Sequence, residues 1–284
     1  MLLESILLFV AFTGSTLAGI IDLKTTEIPD KIPYVMMGIG IVGNLVKSYL
    51  LLSYTPILLS FGVGLLFLGF GFLLYYTGQW GGGDAKILSA IGFLLPQFSS
   101  AKSFFPFPVS FFFNVFFVGA LYMIGYIVVM ALMNRKIIHS FVMELKASSK
   151  ELFWLNIGVI VFLGLFVVFT VNYLQIATIN EVVIFGLVVI VLTIGLFTLW
   201  RFGKTVEEVG FKRRVKVSEL KEGDVIDDSK VWEGLTKEQV TRIQKSRKKY
   251  VTIKEGVRFA PAFPIALLVT VLIGDVVFWV VGLL

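Results

Sequence analysis

Eight apolar stretches, most of them about as long as a helix that crosses a bilayer, constrain this chain more than any other feature. With 57% hydrophobic against 15% charged residues, the 284-residue chain is predicted to be an all-α polytopic membrane protein with about eight transmembrane helices. The first stretch lacks a basic leader and a small-residue cleavage site, so we expect a retained helix and not a removable signal peptide. The stretches are residues 2–21, 32–52, 57–76, 84–95, 109–133, 152–173, 182–200 and 263–281.

A polar segment, residues 201–262, separates the seventh and eighth stretches. Residues 215–220, 224–226 and 250–253 are typical of strands, and Thr236 with Gln239 forms a capping box for a helix through about Lys248. This pattern predicts a small α+β cytoplasmic domain inserted before the last helix. The predicted parts are residues 1–133 with helices one to five, 134–200 with a cytoplasmic connector and an extra transmembrane hairpin, 201–262 with the small domain, and 263–284 with the final helix.

Basic residues indicate which side of the membrane each connector faces. They follow stretches one, three, five and seven, so the positive-inside rule places these connectors in the cytoplasm. An even number of crossings then puts both termini outside, in a multi-pass protein of the plasma membrane. The net charge of +6 is explained by this topology, which makes nucleic acid an unfavoured partner and the lipid bilayer the expected one.

The residue types present exclude several kinds of chemistry. The chain has no cysteine, which excludes disulfides, thiolate nucleophiles and cysteine metal sites. Its single histidine, His139, lies in a basic connector, which makes a Ser-His-Asp triad improbable and excludes a histidine-rich metal site. No metal or cofactor is therefore expected, and any catalysis depends on carboxylates, lysines or hydroxyls.

Two acids mark the candidate site. Asp22 ends the first stretch, and Asp84 follows Gly81, Gly82 and Gly83 at the start of the fourth. An acid within the membrane is costly and usually functional. The predicted topology places both acids at the cytoplasmic side, where they can meet. The alternative explains them separately, with Asp22 as an interfacial helix end and Asp84 as an N-cap.

The fourth stretch is unusually short. As a helix it rises only about 18 Å, against about 30 Å for the hydrocarbon core. If it begins below the interface, the glycine run is irregular backbone that must be enclosed by protein or line a wet cavity. Glycines of the third stretch predict close packing that brings the fourth helix toward the first: Gly62, Gly64, Gly69 and Gly71.

These residues carry a family resemblance. Gly81-x-Gly83-Asp84 after an apolar helix, with Asp22 followed by Ile28-Pro29-Asp30, resembles the type IV prepilin peptidases, most closely the archaeal preflagellin and prepilin peptidases. These enzymes belong to the GxGD membrane aspartyl proteases. The likeness is good from Asp22 through Lys86 and looser beyond. The chain departs from the smaller, six-helix members by two extra apolar stretches, 152–173 and 182–200.

The resemblance implies an aspartic endopeptidase in which Asp22 and Asp84 form a catalytic dyad. Nearby carboxyls cannot both ionise easily, so the pair is expected to share a proton. The implied partners are membrane-anchored precursors of archaellins or pilins, each with a short basic leader and an apolar helix. Glu27 and Asp30 are candidates to bind the leader, although Asp30 could instead only cap the second helix. Lys86 is expected to act on the dyad or to contact a lipid phosphate.

Other interpretations stay open. A presenilin-like protease that cuts inside transmembrane helices, a proton- or cation-coupled transporter and a non-catalytic assembly protein would each use membrane acids or a docking domain. Asp275, inside the last stretch, is expected to be structural, with Asn114, Asn172 or a threonine as its partner. The run from Pro261 to Pro264 is expected to break the chain before the last helix. It also weakly resembles the Pro-Ala-Leu element of presenilin-like proteases.

Overall fold

The computed structural model describes residues 2–98, 104–169, 179–227, 234–246, 249–276 and 282. The described part is mostly helical, with one small sheet. The helices are α1 Leu2–Thr25, α2 Lys31–Leu50, α3 Thr55–Tyr76, α4 Gly82–Leu94, α5 Phe107–Met133, α6 Arg135–Ala147, α7 Ser149–Phe169, α8 Ile179–Val206, α9 Lys237–Gln244 and α10 Ala262–Leu272. The strands are β1 Lys212–Lys216, β2 Val225–Ile226 and β3 Tyr250–Lys254.

Five helical stretches in the described part of the chain are long and apolar enough to cross a membrane. They are Leu2–Thr25, Thr55–Tyr76, Phe107–Met133, Ser149–Phe166 and Ile184–Phe211. The prediction of a polytopic helical membrane protein is therefore confirmed, but eight crossings are not. In the predicted last crossing, α10 ends at Leu272 and Gly274 follows with φ of 87°, while residues 277–281 lie outside the described residues.

The chain forms two compact units, Met1–Tyr126 with Arg213–Leu284, and Ile127–Lys212. The first unit contains the hydrophobic core around α4, the small sheet and α10. The second contains the end of α5 and all of α6, α7 and α8, with Arg201 buried inside it. The Arg201 guanidinium bonds Glu144 at 2.7 Å and also Glu151, so this buried charge is paired.

Helix α6 is an addition to the sequence prediction, which has only a cytoplasmic connector between the fifth and sixth apolar stretches. Asn134 caps it by accepting the backbone N–H of Lys136 at 3.2 Å, and Ile137 is fully buried. Its apolar residues recur at helical spacing, a signal that was available in the sequence.

Helix α4 is short because it is enclosed by protein. All of its residues from Asp84 to Leu94 are buried except Lys86, and the helix packs against α1, α2 and α3. Its last carbonyls are also satisfied by neighbouring helices, since Asn44 and Ser60 donate to the Phe93 carbonyl at 2.9 and 2.7 Å. Backbone that ends within an apolar region needs such partners.

Close packing of α3 on α4 depends on two of the four expected glycines. A Cβ on Gly71 would lie 2.7 Å from the Ala85 Cα, and Gly64 packs directly against the Phe93 ring. Gly62 and Gly69 have open space where their Cβ atoms would be. The glycine prediction was thus right for the face toward α4 and wrong for the other face of the helix.

Asp275 makes structural contacts, but with residues other than Asn114, one of the partners expected from the sequence. Its Oδ2 atom accepts the backbone N–H groups of Phe104 and Phe105, at 2.6 and 3.1 Å, just before α5 begins. Asn114 bonds instead to the Thr270 hydroxyl and the Gly274 carbonyl, at 2.9 and 2.7 Å. Asn172, the other proposed partner, lies outside the described residues. These contacts tie the end of α10 to α5.

The small domain has the expected elements with shifted bounds. Its strand order is β1-β3-β2, and β2 pairs antiparallel with β3 through Val225 with Lys254 and Ile226 with Ile253. The predicted strand 215–220 is only partly one, because a 3-10 turn replaces it from Val217 to Glu219. The capping box of α9 forms as predicted. A small core closes the domain: Val215, Leu220, Val240 and Ile253.

We expect Gly71→Ala to destabilise the protein by about 1–3 kcal/mol, because the new methyl group meets the Ala85 backbone, which cannot move as a side chain can. Gly69→Ala, in the same helix but facing open space, is the matched control and should leave stability unchanged or slightly higher. Thermal unfolding in detergent micelles measures both. Equal effects of the two substitutions would contradict the packing described.

Candidate active site

Asp22 lies in the last turn of α1 and is buried, with only 5% of the residue's surface exposed. Burial is unusual for an aspartate, which is normally ionised in water. Its Oδ2 atom accepts the backbone N–H of Ala260 at 3.1 Å. Ala260 belongs to the loop before α10, so the donor comes from the opposite end of the sequence. Gly19, one turn earlier in α1, allows this approach, since its Cβ would lie 3.1 Å from the Pro261 Cα.

Asp84 is the third residue of α4 and not its N-cap, which is Gly81 in an extended conformation. The Asp84 Oδ2 atom accepts the Gly81 N–H at 3.1 Å, a bond common at helix starts. Its Oδ1 atom is buried and has no hydrogen-bond partner among the described residues. Helix capping therefore accounts for one oxygen of Asp84 and leaves the other for a different purpose.

The three glycines before Asp84 have different surroundings. A Cβ on Gly83 would lie 2.8 Å from the Ile28 Cβ, so Gly83 lets α4 start directly against the turn between α1 and α2. Gly81 approaches the Asp84 carboxyl, and Gly82 has only an ordinary contact with the Tyr75 ring at 3.7 Å. The expectation of a close backbone approach is met most clearly at Gly83.

Both acids line one cavity of about 1130 Å³ within the first unit. The charge of Asp22 acts on Asp84, so the two carboxyls are electrostatic neighbours although 62 positions separate them in the sequence. An aromatic group forms part of the wall, with Trp80 5.8 Å from Phe116 and 5.3 Å from Phe259 between ring centres. Strands and turns of the small domain form another part. The cavity thus joins an apolar wall, two buried acids and a polar region.

The remaining predicted site residues divide into two groups. Glu27 lines the cavity, as do the three glycines. Lys86 and Asp30 do not line it: they form an ion pair at 2.5 Å, and the Lys86 ammonium lies 5.5 Å from the centre of the Tyr34 ring. Lys86 therefore has a protein partner that the sequence did not indicate. Asp30 immediately precedes α2, but its side chain makes no capping bond.

The loop before α10 contributes to the site, although the adjoining run from Pro261 to Pro264 is interpreted mainly as a chain break and only its weak resemblance to the Pro-Ala-Leu element pointed to this region. Ala260 donates its backbone N–H to Asp22, and Arg258 and Phe259 line the cavity. The predicted topology could have found them, since it puts this loop on the cytoplasmic side with Asp22. No group of three or more histidine, aspartate or glutamate residues in the described ranges could hold a metal ion.

We expect Gly83→Ala to loosen the turn between α1 and α2, because its methyl group would displace Ile28. Trypsin should then cut after Lys24 and Lys31 several-fold faster, because the free energy needed to open this turn locally is lower. Gly82→Ala, whose methyl group meets nothing closer than 3.7 Å, is the control and should be cut at the parent rate. A parent-like rate for Gly83→Ala would show that Ile28 does not depend on this glycine.

Two comparisons with known proteins found sequences similar to parts of this chain. Residues 9–124 match the model of the type IV leader peptidase family, and this range contains both Asp22 and Asp84. Over 93 residues the chain is 30% identical to the preflagellin peptidase of Methanococcus voltae, a match that covers 32% of this chain and 38% of that relative. The small domain, α7, α8 and α10 lie beyond the family match. The resemblance found in the sequence is therefore confirmed for residues 9–124, which are similar to the type IV leader peptidase family.

Proposed function

We propose that this protein is a membrane aspartic endopeptidase that removes the short basic leader from archaellin-like or pilin-like precursors at the cytoplasmic face of the membrane. The observation that carries the proposal is the meeting of two buried acids, Asp22 and Asp84, in one cavity. The family match over residues 9–124 and the preflagellin peptidase relative support a leader peptidase role.

In the proposed reaction the two carboxyls share one proton. The ionised carboxylate takes a proton from a water molecule, whose oxygen attacks the carbonyl carbon of the scissile peptide bond. The protonated carboxyl gives its proton to the carbonyl oxygen, so that no free oxyanion forms in the tetrahedral intermediate. Collapse of the intermediate breaks the carbon–nitrogen bond as the first acid passes its proton to the leaving amine. The second acid recovers its proton from the hydroxyl that becomes the carbonyl.

The structure of the cavity suits a precursor with a polar and an apolar part. The aromatic wall of Trp80, Phe116 and Phe259 offers a surface for the apolar residues near the cut. Glu27 lies in the polar part, on the same turn that follows Asp22, and can attract a lysine or arginine of the leader. Asp30 is less suited, because it is already paired with Lys86 outside the cavity.

The proposed side of action follows from the basic connectors. Lys24, Lys31 and Lys86 lie in or next to the connectors that the positive-inside rule assigns to the cytoplasm, at the end of the helices where Asp22 and Asp84 are found. Both termini are then outside the cell. A leader made in the cytoplasm reaches the two acids without crossing the membrane, while the apolar helix of the precursor stays in the bilayer.

We expect Asp22→Asn and Asp84→Asn each to lower kcat by about 100-fold or more, because an amide can neither take a proton from water nor share one. Purified protein and a precursor with a basic leader and an apolar helix are incubated together, and the released leader is measured. Asp275→Asn is the matched control: it changes a buried aspartate outside the cavity yet keeps an oxygen that can accept from Phe104 and Phe105.

Undiminished cleavage by either dyad variant would rule out the catalytic pair. If the parent protein cuts no such precursor, the leader peptidase proposal fails. Cleavage within the apolar helix instead of after the leader would favour the presenilin-like alternative.

Glu27→Gln should raise KM for a precursor with a basic leader several-fold while kcat changes little, because the substitution removes a charge that attracts the leader before the chemistry begins. Asp30→Asn should leave KM near the parent value, since the carboxyl is 57% exposed, paired with Lys86 and outside the cavity. Replacing the leader lysines by alanine should abolish the difference between parent and Glu27→Gln. A KM effect at Asp30 alone would reverse the assignment.

A further inference from the structure

The surroundings of the two acids are unequal. Asp84 receives a single hydrogen bond, from the Gly81 N–H to Oδ2, and its Oδ1 atom is buried without a partner among the described residues. A carboxylate that cannot be solvated by water or by donors is costly, whereas a protonated carboxyl tolerates such a place better. The contacts of Asp84 therefore suit its neutral form.

The surroundings of Asp22 differ, because neither of its carboxyl oxygens is buried without a hydrogen-bond partner in the described part of the chain. Its Oδ2 atom accepts the Ala260 N–H at 3.1 Å, and Arg258, two residues before Ala260, lines the same cavity as Asp22. A backbone donor and a nearby cation both stabilise a negative charge. Arg258 and Ala260 lie in one short loop, so a single segment supplies the donor and the cation.

Arg258 is held in this position by hydroxyl groups. One of its terminal nitrogens, Nη1, donates to the Tyr126 hydroxyl at 2.7 Å, and its backbone carbonyl accepts the Tyr122 hydroxyl at 2.9 Å. Within the described part of the chain, Arg258 forms no ion pair, and its Nε atom is buried without a hydrogen-bond partner. A hydroxyl orients the guanidinium without neutralising it, so its charge remains available to Asp22.

The other ionisable groups near the pair do not replace Arg258. Asp84 faces Asp22 from α4, Tyr122 faces it from α5, and Lys24 is exposed on α1 itself. Apart from Asp22, Asp84 and Arg258, four basic and four acidic residues line the cavity, and Lys24 is one of the four basic ones. These charges largely balance, whereas Arg258 acts on one member of the pair.

We propose that Arg258 is a positioning residue that holds the negative charge of the acid pair on Asp22 and leaves the shared proton on Asp84. This assignment rests on the proposed function and gives each of the two acids its role in the cleavage reaction. Asp22 takes the proton from water and later passes it to the leaving amine. Asp84, whose Oδ1 atom has no hydrogen-bond partner among the described residues, protonates the carbonyl oxygen and then recovers the proton when the intermediate collapses.

The location of the proton can be measured without any substrate. Infrared difference spectra of the purified protein in D₂O at neutral pH report the C=O stretch of protonated carboxyls. The band should disappear in Asp84→Asn and persist in Asp22→Asn. The reverse pattern, or no protonated carboxyl at either position, would overturn the proposal. Because no cleavage is needed, failure here is distinguishable from failure of the proposed function.

The role of Arg258 is tested by the pH profile of kcat/KM for precursor cleavage. Removing a cation makes ionisation of Asp22 harder, so Arg258→Gln should move the acid limb of the profile to higher pH by about one unit. Arg258→Lys keeps a charge there and should restore the limb toward the parent position. Arg213→Gln, at another basic residue of the cavity wall, is the control and should leave the limb in place.

Two results would contradict this role. The first is an acid limb in Arg258→Gln at the same pH as in the parent. The second is an equal loss of activity in Arg258→Gln and Arg258→Lys with pH profiles like that of the parent. That second result would mean that Arg258 only stabilises the conformation of its loop. If Arg258→Gln does not fold, Tyr126→Phe serves instead, since it removes the hydroxyl that orients the guanidinium. Its acid limb should also move upward, by a smaller amount, and an unmoved limb would overturn the proposal.

Discussion

The enclosure of α4 by its neighbours determines most of the first unit. A helix of 13 residues is shorter than the hydrocarbon core, and its residues from Asp84 to Leu94 are buried except Lys86, so its ends need hydrogen-bond partners within the protein. Asn44 of α2 and Ser60 of α3 provide donors at its carboxyl end, and Asp84 provides an acceptor at its amino end. Because the donors come from two neighbouring helices and the acceptor from α4 itself, the position of Asp84 depends on the same packing that encloses the helix.

Enclosure also explains why a costly acid is tolerated. Asp84 is 7% exposed and Asp22 5% exposed, and neither carboxyl forms an ion pair in the described part of the chain. Backbone N–H groups take the place of cations at close range, since each acid accepts one. Such donors are fixed by the fold and do not need to reorganise during a reaction.

Much of this was visible in the sequence, and the failures have physical reasons. The lengths of the apolar stretches predicted a helical membrane protein. The positions of Asp22 and Asp84 at the ends of such stretches predicted that the two acids lie near each other, because each crossing fixes on which side of the membrane a helix end lies. The glycine prediction failed at Gly62 and Gly69, since spacing alone does not say which face of α3 meets α4. The partners of Asp275 and Lys86 were missed for a related reason: each bonds to a segment far away in the sequence or across a turn. Ala260 was missed because a backbone N–H leaves no trace in residue identity.

The bond between Asp22 and Ala260 joins the first helix of the chain to the loop before α10. Its consequence concerns the order of synthesis. Both acids have been made once residue 84 has left the ribosome, but the donor to Asp22 and the guanidinium of Arg258 follow more than 170 positions later. A growing chain thus carries its two acids for most of its synthesis without the environment that distinguishes them, and the arrival of the last loop completes the site.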